Sequence, residues 1–187
     1  MGFDAVVVAG GTGRRLGGVD KGAVVVGGLS LLQRTVDALS RADRVIVVGP
    51  RRALGRNVRW TMEEPPGGGP VAALAAGLEL VRADVVGVLA VDLPFVDAPL
   101  VEALVELAYG GEGALLEDEA GHLQPLAAAY RTAPLRAAVA RLPSVVNAPM
   151  RALLPGMRLR SLRAGEPARD CDTWDDVAAA RRALGGG

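Results

Sequence analysis

Residues 3–22 read FDAVVVAGGTGRRLGGVDKG, a valine-rich apolar run that passes directly into a glycine-rich loop carrying Arg14, Arg15 and Lys21. Phe3 to Ala9 lacks the polar alternation of a half-exposed strand. It reads as a first strand buried on both faces, the habit of a parallel sheet covered by helices. Glycines in the loop let the backbone approach a ligand closely. Consecutive N–H groups there form a concave anion site, to which Lys21 adds a full positive charge. The stretch is built like a strand followed by a triphosphate cradle.

Outward from it, the chain alternates strand and helix patterns. Short apolar runs predict strands over 44–49, 83–92 and 113–117, with further strands over 57–61 and near 124–130, and a short one within 23–28. Ser30 is placed to cap a helix through Leu39, Pro70 to open one through Val81, and Thr173 with Asp176 forms a T-x-x-D capping box for a last helix through Ala183. Further helices are predicted over 99–108, 133–142 and around 148–154. Strands alternating with helices imply right-handed crossovers and a mainly parallel sheet, expected here as one three-layer α/β/α domain over residues 1–187. In such sheets ligands bind beyond the carboxyl ends of the strands, at the switch point. The loop after the first strand and the loop carrying Asp92 both belong there.

Composition narrows the partners. The 187 residues carry 21 basic and 21 acidic side chains, a formal net charge of zero, so no overall field draws the chain to nucleic acid or to an anionic membrane. Half of the residues are hydrophobic and 3% aromatic, so the core is to be built from Ala, Val and Leu. Cys171 is the one cysteine, which excludes an internal disulfide framework and suits a reducing compartment. With no basic leader or apolar span in view, the expected location is the cytoplasm. His122, in a predicted turn, is expected to be an exposed bystander.

Rival motifs fail on spacing. A P-loop needs G-x-x-x-x-G-K-[ST], whereas Lys21 follows Asp20 and precedes Gly22. GTGRRLG has the spacing G-x-G-x-x-x-G, and the strand ending VVGPRR supplies no acid for a ribose. Arg51 or Arg52 would at most meet the phosphate of NADP.

The loop AGGTGRRLGGVDKG resembles the signature of the molybdopterin-type nucleotidyltransferases, and GGVDKG is especially similar to their guanylyltransferase branch. VDLPFV resembles that family's D-x-P-[FY] segment, EEPPGGGPVAALAAGL its acidic residue before G-P-[LV], LQPLAAAYR its Q-P-L strand, and DCDTWDDV its N-x-N-T-P-E-[DE]-L segment. The resemblance implies a Rossmann-like sheet of the nucleotide-diphospho-sugar transferase type, with a nucleotide half over about 1–111 and an acceptor half over about 112–187. It implies that Ala9, Gly10, Gly11, Thr12, Gly13, Arg14, Gly17, Lys21, Glu64, Gly69 and Asp92 bind nucleotide. Among them Lys21, Arg14 and Asp92 carry the chemistry. Glu64 stands where the family has an aspartate for the base or ribose. Asp92 is the implied ligand of Mg2+, with Asp172, where the family often has asparagine, as a second.

The activity so implied is transfer of GMP from GTP to the terminal phosphate of molybdopterin or the molybdenum cofactor, with molybdenum-insertion proteins or acceptor apoenzymes as further partners. Alternatives are a cytidylyl- or guanylyltransferase for another phosphorylated acceptor, a GTP-binding regulator without turnover, and an NADP-dependent oxidoreductase. Arg131, Arg151 and Arg158 are candidates for the acceptor's phosphate. The sequence is neutral between a monomer and a homo-oligomer.

Overall fold

The computed structural model describes residues 2–10, 16–185 and the backbone of residues 12 and 13. In chain order the strands and helices are β1 (Asp4–Val8), β2 (Thr12–Gly13), β3 (Val19–Asp20), β4 (Val25–Val26), β5 (Leu29–Ser30), α1 (Leu31–Ala38), β6 (Arg44–Val48), β7 (Arg59–Thr61), α2 (Pro70–Leu78), β8 (Val85–Ala90), α3 (Ala98–Ala108), β9 (Gly113–Glu117), β10 (Leu123–Arg131), α4 (Thr132–Ala140), β11 (Leu159–Arg163) and α5 (Trp174–Ala183). Seven strands form one sheet in the order β11, β9, β10, β8, β1, β6, β7. β1 lies between β8 and β6, parallel to both, and all five of its residues are buried. β10 alone runs against its neighbours β8 and β9.

The period of two in β1 sorts its side chains onto two cores. Phe3, Ala5 and Val7 pack with Leu32 and Val36 of α1 and Leu104 of α3. Val6 and Val8 face Leu74 and Leu78 of α2 and Leu135 of α4. Each such buried Val or Leu contributes roughly 1.5–3 kcal/mol, so a central strand of this composition anchors both helical layers. The expected three layers and mainly parallel sheet are therefore found. Among the described residues no helix is long and apolar enough to cross a membrane.

A smaller third cluster joins Leu16, Val24, Val26 and Leu31 to Cys171, Val177 and Ala180. It lays α5 against the segment that leaves the glycine-rich loop. The capping box at Thr173 and Asp176 and the Ser30 cap of α1 form as their sequences predict. Several boundaries differ from expectation. The segment 23–28 is split between β4 and a turn, and 148–154 tightens into the short 3-10 helix Met150–Leu153. β11, unforeseen, pairs with β9 at the sheet edge with Arg160, Ser161 and Arg163 exposed, so it shows no apolar run.

At the amino end of the sheet, Asp4 is fully buried. Its Oδ2 accepts the backbone N–H groups of Arg82 and Ala83 at 2.7 and 3.1 Å, and Arg44 Nη1 stands 3.5 Å away. The carboxylate thus ties the start of β1 to the turn before β8.

Candidate functional site

The carboxyl ends of β1 and β8 carry the two loops singled out in the sequence. Lys21 opens a short 3-10 helix, Lys21–Ala23, capped by Asp20, whose Oδ1 accepts the Gly22 N–H at 3.1 Å. From there Lys21 Nζ donates to Asp92 Oδ2 at 3.1 Å and to Asp172 Oδ1. Asp92 lies just past β8, and its carbonyl accepts the Cys171 N–H at 2.8 Å. That bond, with the packing of α5, brings Asp172 to the same ammonium. Burial works to lower the Lys21 pKa, but hydrogen bonds and charge from Asp172 and Asp92 outweigh it, and the net value stands above the ordinary one. Lys21 therefore stays charged. The Asp170 pKa is also raised, first by lost solvent and then by the charges of Asp172 and Asp92, which for a carboxyl favours the neutral form.

Beside this cluster lies a cleft of about 450 Å3, lined among others by Ala9, Gly10, Gly18, Gly49, Glu63 and Gly69. A second cavity of about 270 Å3 shares Ala9, Gly10 and Gly69 with it and reaches Lys21, Asp92 and Leu126. Ala9, Gly10 and Gly69 thus line both cavities. A Cβ on Gly10 would stand 3.4 Å from Glu63 Oε1. Gly69 has φ of 90°, a conformation that favours glycine, and hands the chain to α2 with Pro70 at its first turn.

Of the two adjacent glutamates, Glu63 lines the cleft and the expected Glu64 does not. Glu63 is 7% exposed, Oε1 accepts the Gly67 N–H at 3.0 Å, and Oε2 has no hydrogen-bond partner among the described residues. Glu64 is exposed and does not line the cleft. The chain bends at Glu64 beyond the end of β7, which leaves Glu63 buried and Glu64 exposed and moves the reading by one position. Thr12 and Gly13 pair with Asp20 and Val19 as a small ribbon over the loop. Gly11 and Arg14 lie outside the described residues. Gly17 makes the turn, with φ of 75°, before Gly18 lines the cleft.

The antiparallel course of β10 overturns part of the acceptor reading. Its amino-terminal end reaches the site: Leu126 lines the Lys21 cavity, and Gln124 lines a further cavity of about 530 Å3 with Asp118, Glu119, Glu166, Arg169 and Asp170. Arg131 ends the strand opposite Val85, at the other end of the sheet, and stacks 5.4 Å over Tyr109. Arg158 sits at that same far end, where its N–H meets Glu112 Oε2 at 2.8 Å. Neither arginine is at the cleft. Arg151 is exposed on the 3-10 helix Met150–Leu153. His122 is exposed as expected, beside Asp118. Arg52, weighed for NADP, is instead engaged by Asp20.

Residues 5–159 match the model of the MobA-like NTP transferase domain. The chain belongs to this family. It is 35% identical over 144 residues to the probable molybdenum cofactor guanylyltransferase of Natronomonas pharaonis, covering 72% of this chain and 71% of that protein. It is 38% identical over 127 residues to the molybdenum cofactor guanylyltransferase of Pseudomonas putida, covering 65% and 66% respectively. In fold it is similar to a nucleotidyl transferase from Methanothermobacter thermautotroptrophicus, with a TM-score of 0.81 at 22% identity over 97% of each chain. The family resemblance of the glycine-rich loop is borne out. Counted from Ala9, the family pattern A-G-G-x-x-x-R-x-x-G-x-x-K sets its arginine at Arg15 and its last glycine at Gly18, in place of Arg14 and Gly17. The stretch matched to the MobA-like model ends before Asp172, which the packing of Cys171 and Val177 against Leu16, Val24 and Val26 brings to the site.

Proposed function

We propose that the protein transfers GMP from GTP to the terminal phosphate of molybdopterin or the molybdenum cofactor, releasing pyrophosphate and forming a guanine dinucleotide. The observation that carries this reading is the Lys21 ammonium held by Asp92 and Asp172 beside a glycine-lined cleft with a buried acceptor, Glu63. The names of the relatives above support the same donor and acceptor.

In the reaction an oxygen of the acceptor's phosphate forms a bond to the α-phosphorus of GTP, and the bond from that phosphorus to the β-phosphate oxygen breaks. A phosphate nucleophile is already ionised at neutral pH, so the site needs no general base. Its residues act by position and charge. Lys21 meets the phosphates and the leaving pyrophosphate, and the backbone at Gly10 lets them approach. The carboxylate of Glu63, which lines the cleft, accepts from the N1–H and N2–H edge of guanine. Adenine and cytosine set an acceptor nitrogen against their amino group and so suit a carboxylate less well.

Asp92 and Asp172 already share one cation, Lys21, and carboxylate oxygens are the donor type a magnesium ion takes. Among the described residues no set of three or more metal-binding side chains is assembled. Two carboxylates completed by substrate phosphates is the usual arrangement for this ion. Bound there, magnesium would neutralise charge on the phosphates.

The test is a competition: purified protein, magnesium, molybdopterin and equal GTP, CTP, ATP and UTP, with the product read by mass spectrometry. A guanine dinucleotide is expected as the dominant product. A cytosine dinucleotide would overturn the role of Glu63, and absence of any dinucleotide would overturn the reaction.

A further inference from the structure

We infer that Arg52 is a positioning residue for Lys21, acting through Asp20. No part of the reaction described above uses Arg52, and it comes from the connection between β6 and β7, outside the glycine-rich loop. Its guanidinium grips Asp20 with two bonds, Nε to Oδ2 at 2.6 Å and Nη2 to Oδ1 at 2.5 Å, while Nη1 donates to the Pro50 carbonyl at 3.1 Å. Such a planar two-point grip fixes a carboxylate in orientation as well as place. The Arg52 side chain is 16% exposed, against 44% for Asp20, so the arginine is the packed member of the pair.

Asp20 is a joint between three segments. Its backbone pairs with Thr12 in the ribbon over the glycine-rich loop. Its Oδ1 accepts the Gly22 N–H that starts the 3-10 turn carrying Lys21. Its carboxylate as a whole is held by Arg52. Gly22 is buried beneath this grip: a Cβ there would stand 3.2 Å from Arg52 Cζ and Nη1. The arginine, the aspartate and the glycine therefore form one clamp, and the direction in which Lys21 leaves its turn is set by it. Arg52 and Asp20 also line the cleft assigned to the base, so the clamp connects the base's place to the cation that meets the phosphates.

The inference rests on the transferase reading for its kinetic test and on the fold alone for a second. Arg52→Ala and Asp20→Ala are each expected to lower kcat about 10- to 100-fold, the scale of a small misplacement of a catalytic group. Any rise in the KM for GTP should be smaller than the fall in kcat, and the double variant should be no slower than the slower single one. Effects that multiply in the double variant, or a loss confined to KM, would mean that Arg52 touches the nucleotide itself and would overturn the inference. Arg52→Lys should recover only part of the loss, since a point charge lacks the two-point grip.

The second readout is hydrogen exchange at the Gly22 amide in the nucleotide-free protein, expected to quicken in Arg52→Ala with melting temperature unchanged. Unchanged exchange would sink the clamp. If the wild-type protein made no dinucleotide, the transferase reading would fall while this amide still decided the positioning claim.

Discussion

Replacing Lys21 by alanine removes a preorganised cation from the phosphates, and turnover is expected to fall about 100- to 1000-fold in steady-state pyrophosphate release. Full activity would exclude Lys21 from the mechanism. Glu63 makes a different kind of prediction. Its Oε2 is buried with no hydrogen-bond partner among the described residues, and a buried acceptor left unsatisfied costs about 1–3 kcal/mol. GTP should therefore bind more tightly than ITP, which lacks the N2 amino group. In Glu63→Gln, which can also donate, that preference should shrink about tenfold by calorimetry. An unaltered GTP to ITP ratio would remove Glu63 from base recognition. At this scale Lys21 and Asp92 were legible because each sits in a loop next to a plain strand pattern. Glu63 was not, since its neighbour Glu64 has the same side chain and only the turn of the backbone tells them apart.

Elements obey rules that act over a few residues, and here the sequence served well. Ser30, Thr173 and Asp176 cap where their spacing says. Hydrogen bonds from Thr173 hold the Asp176 carboxyl below its ordinary value. The unfolded state binds that proton more readily, so the contribution is complete above an unfolded pKa of about 3.9 and is lost as pH falls through the folded value. Asp176→Ala should cost about 0.5–1 kcal/mol in urea unfolding at pH 7, and the gap to wild type should narrow in acid below about pH 4. A gap constant with pH would refute this account. Where an element touches its neighbour, local rules stop. A Cβ on Gly77 of α2 would stand 2.6 Å from Val6 Cγ1 and 3.1 Å from Val48 Cγ2. Gly77→Ala, which helix propensity alone would favour by about 1 kcal/mol, is expected to destabilise on balance, because overpacking costs about 1–3 kcal/mol. Chemical denaturation showing a more stable variant would contradict the close approach of α2 to β1. β11 escaped the sequence for a related reason: an exposed edge strand needs no apolar run, only a partner.

Across the whole molecule, stability and chemistry occupy opposite ends of one sheet. Asp4→Ala at the amino end strips two backbone N–H groups of their acceptor and should cost about 2–4 kcal/mol while the folded fraction keeps its kcat. Asp92→Ala at the carboxyl end should lose magnesium-dependent turnover with little change in melting temperature, because the side chain closes the site and does not fill a core. Calorimetry and assay on the two variants check both halves, and the reverse pattern in either would undo the division. The amino-acid sequence by itself determined the buried first strand, the mainly parallel α/β architecture, the caps and the glycine-rich loop, since each follows from hydrophobic period, backbone freedom or hydrogen bonding over a few residues. The tertiary structure alone decided that β10 runs antiparallel and carries Arg131 away from the cleft, that Arg158 sits before β11 at that same far end, that Glu63 and not Glu64 lines the cleft, and that Asp172 and Asp92 both bind Lys21. Those outcomes depend on which distant segments pack together, as the cluster of Leu16, Val26, Cys171 and Val177 does, and on which side of the chain that packing leaves open to a ligand.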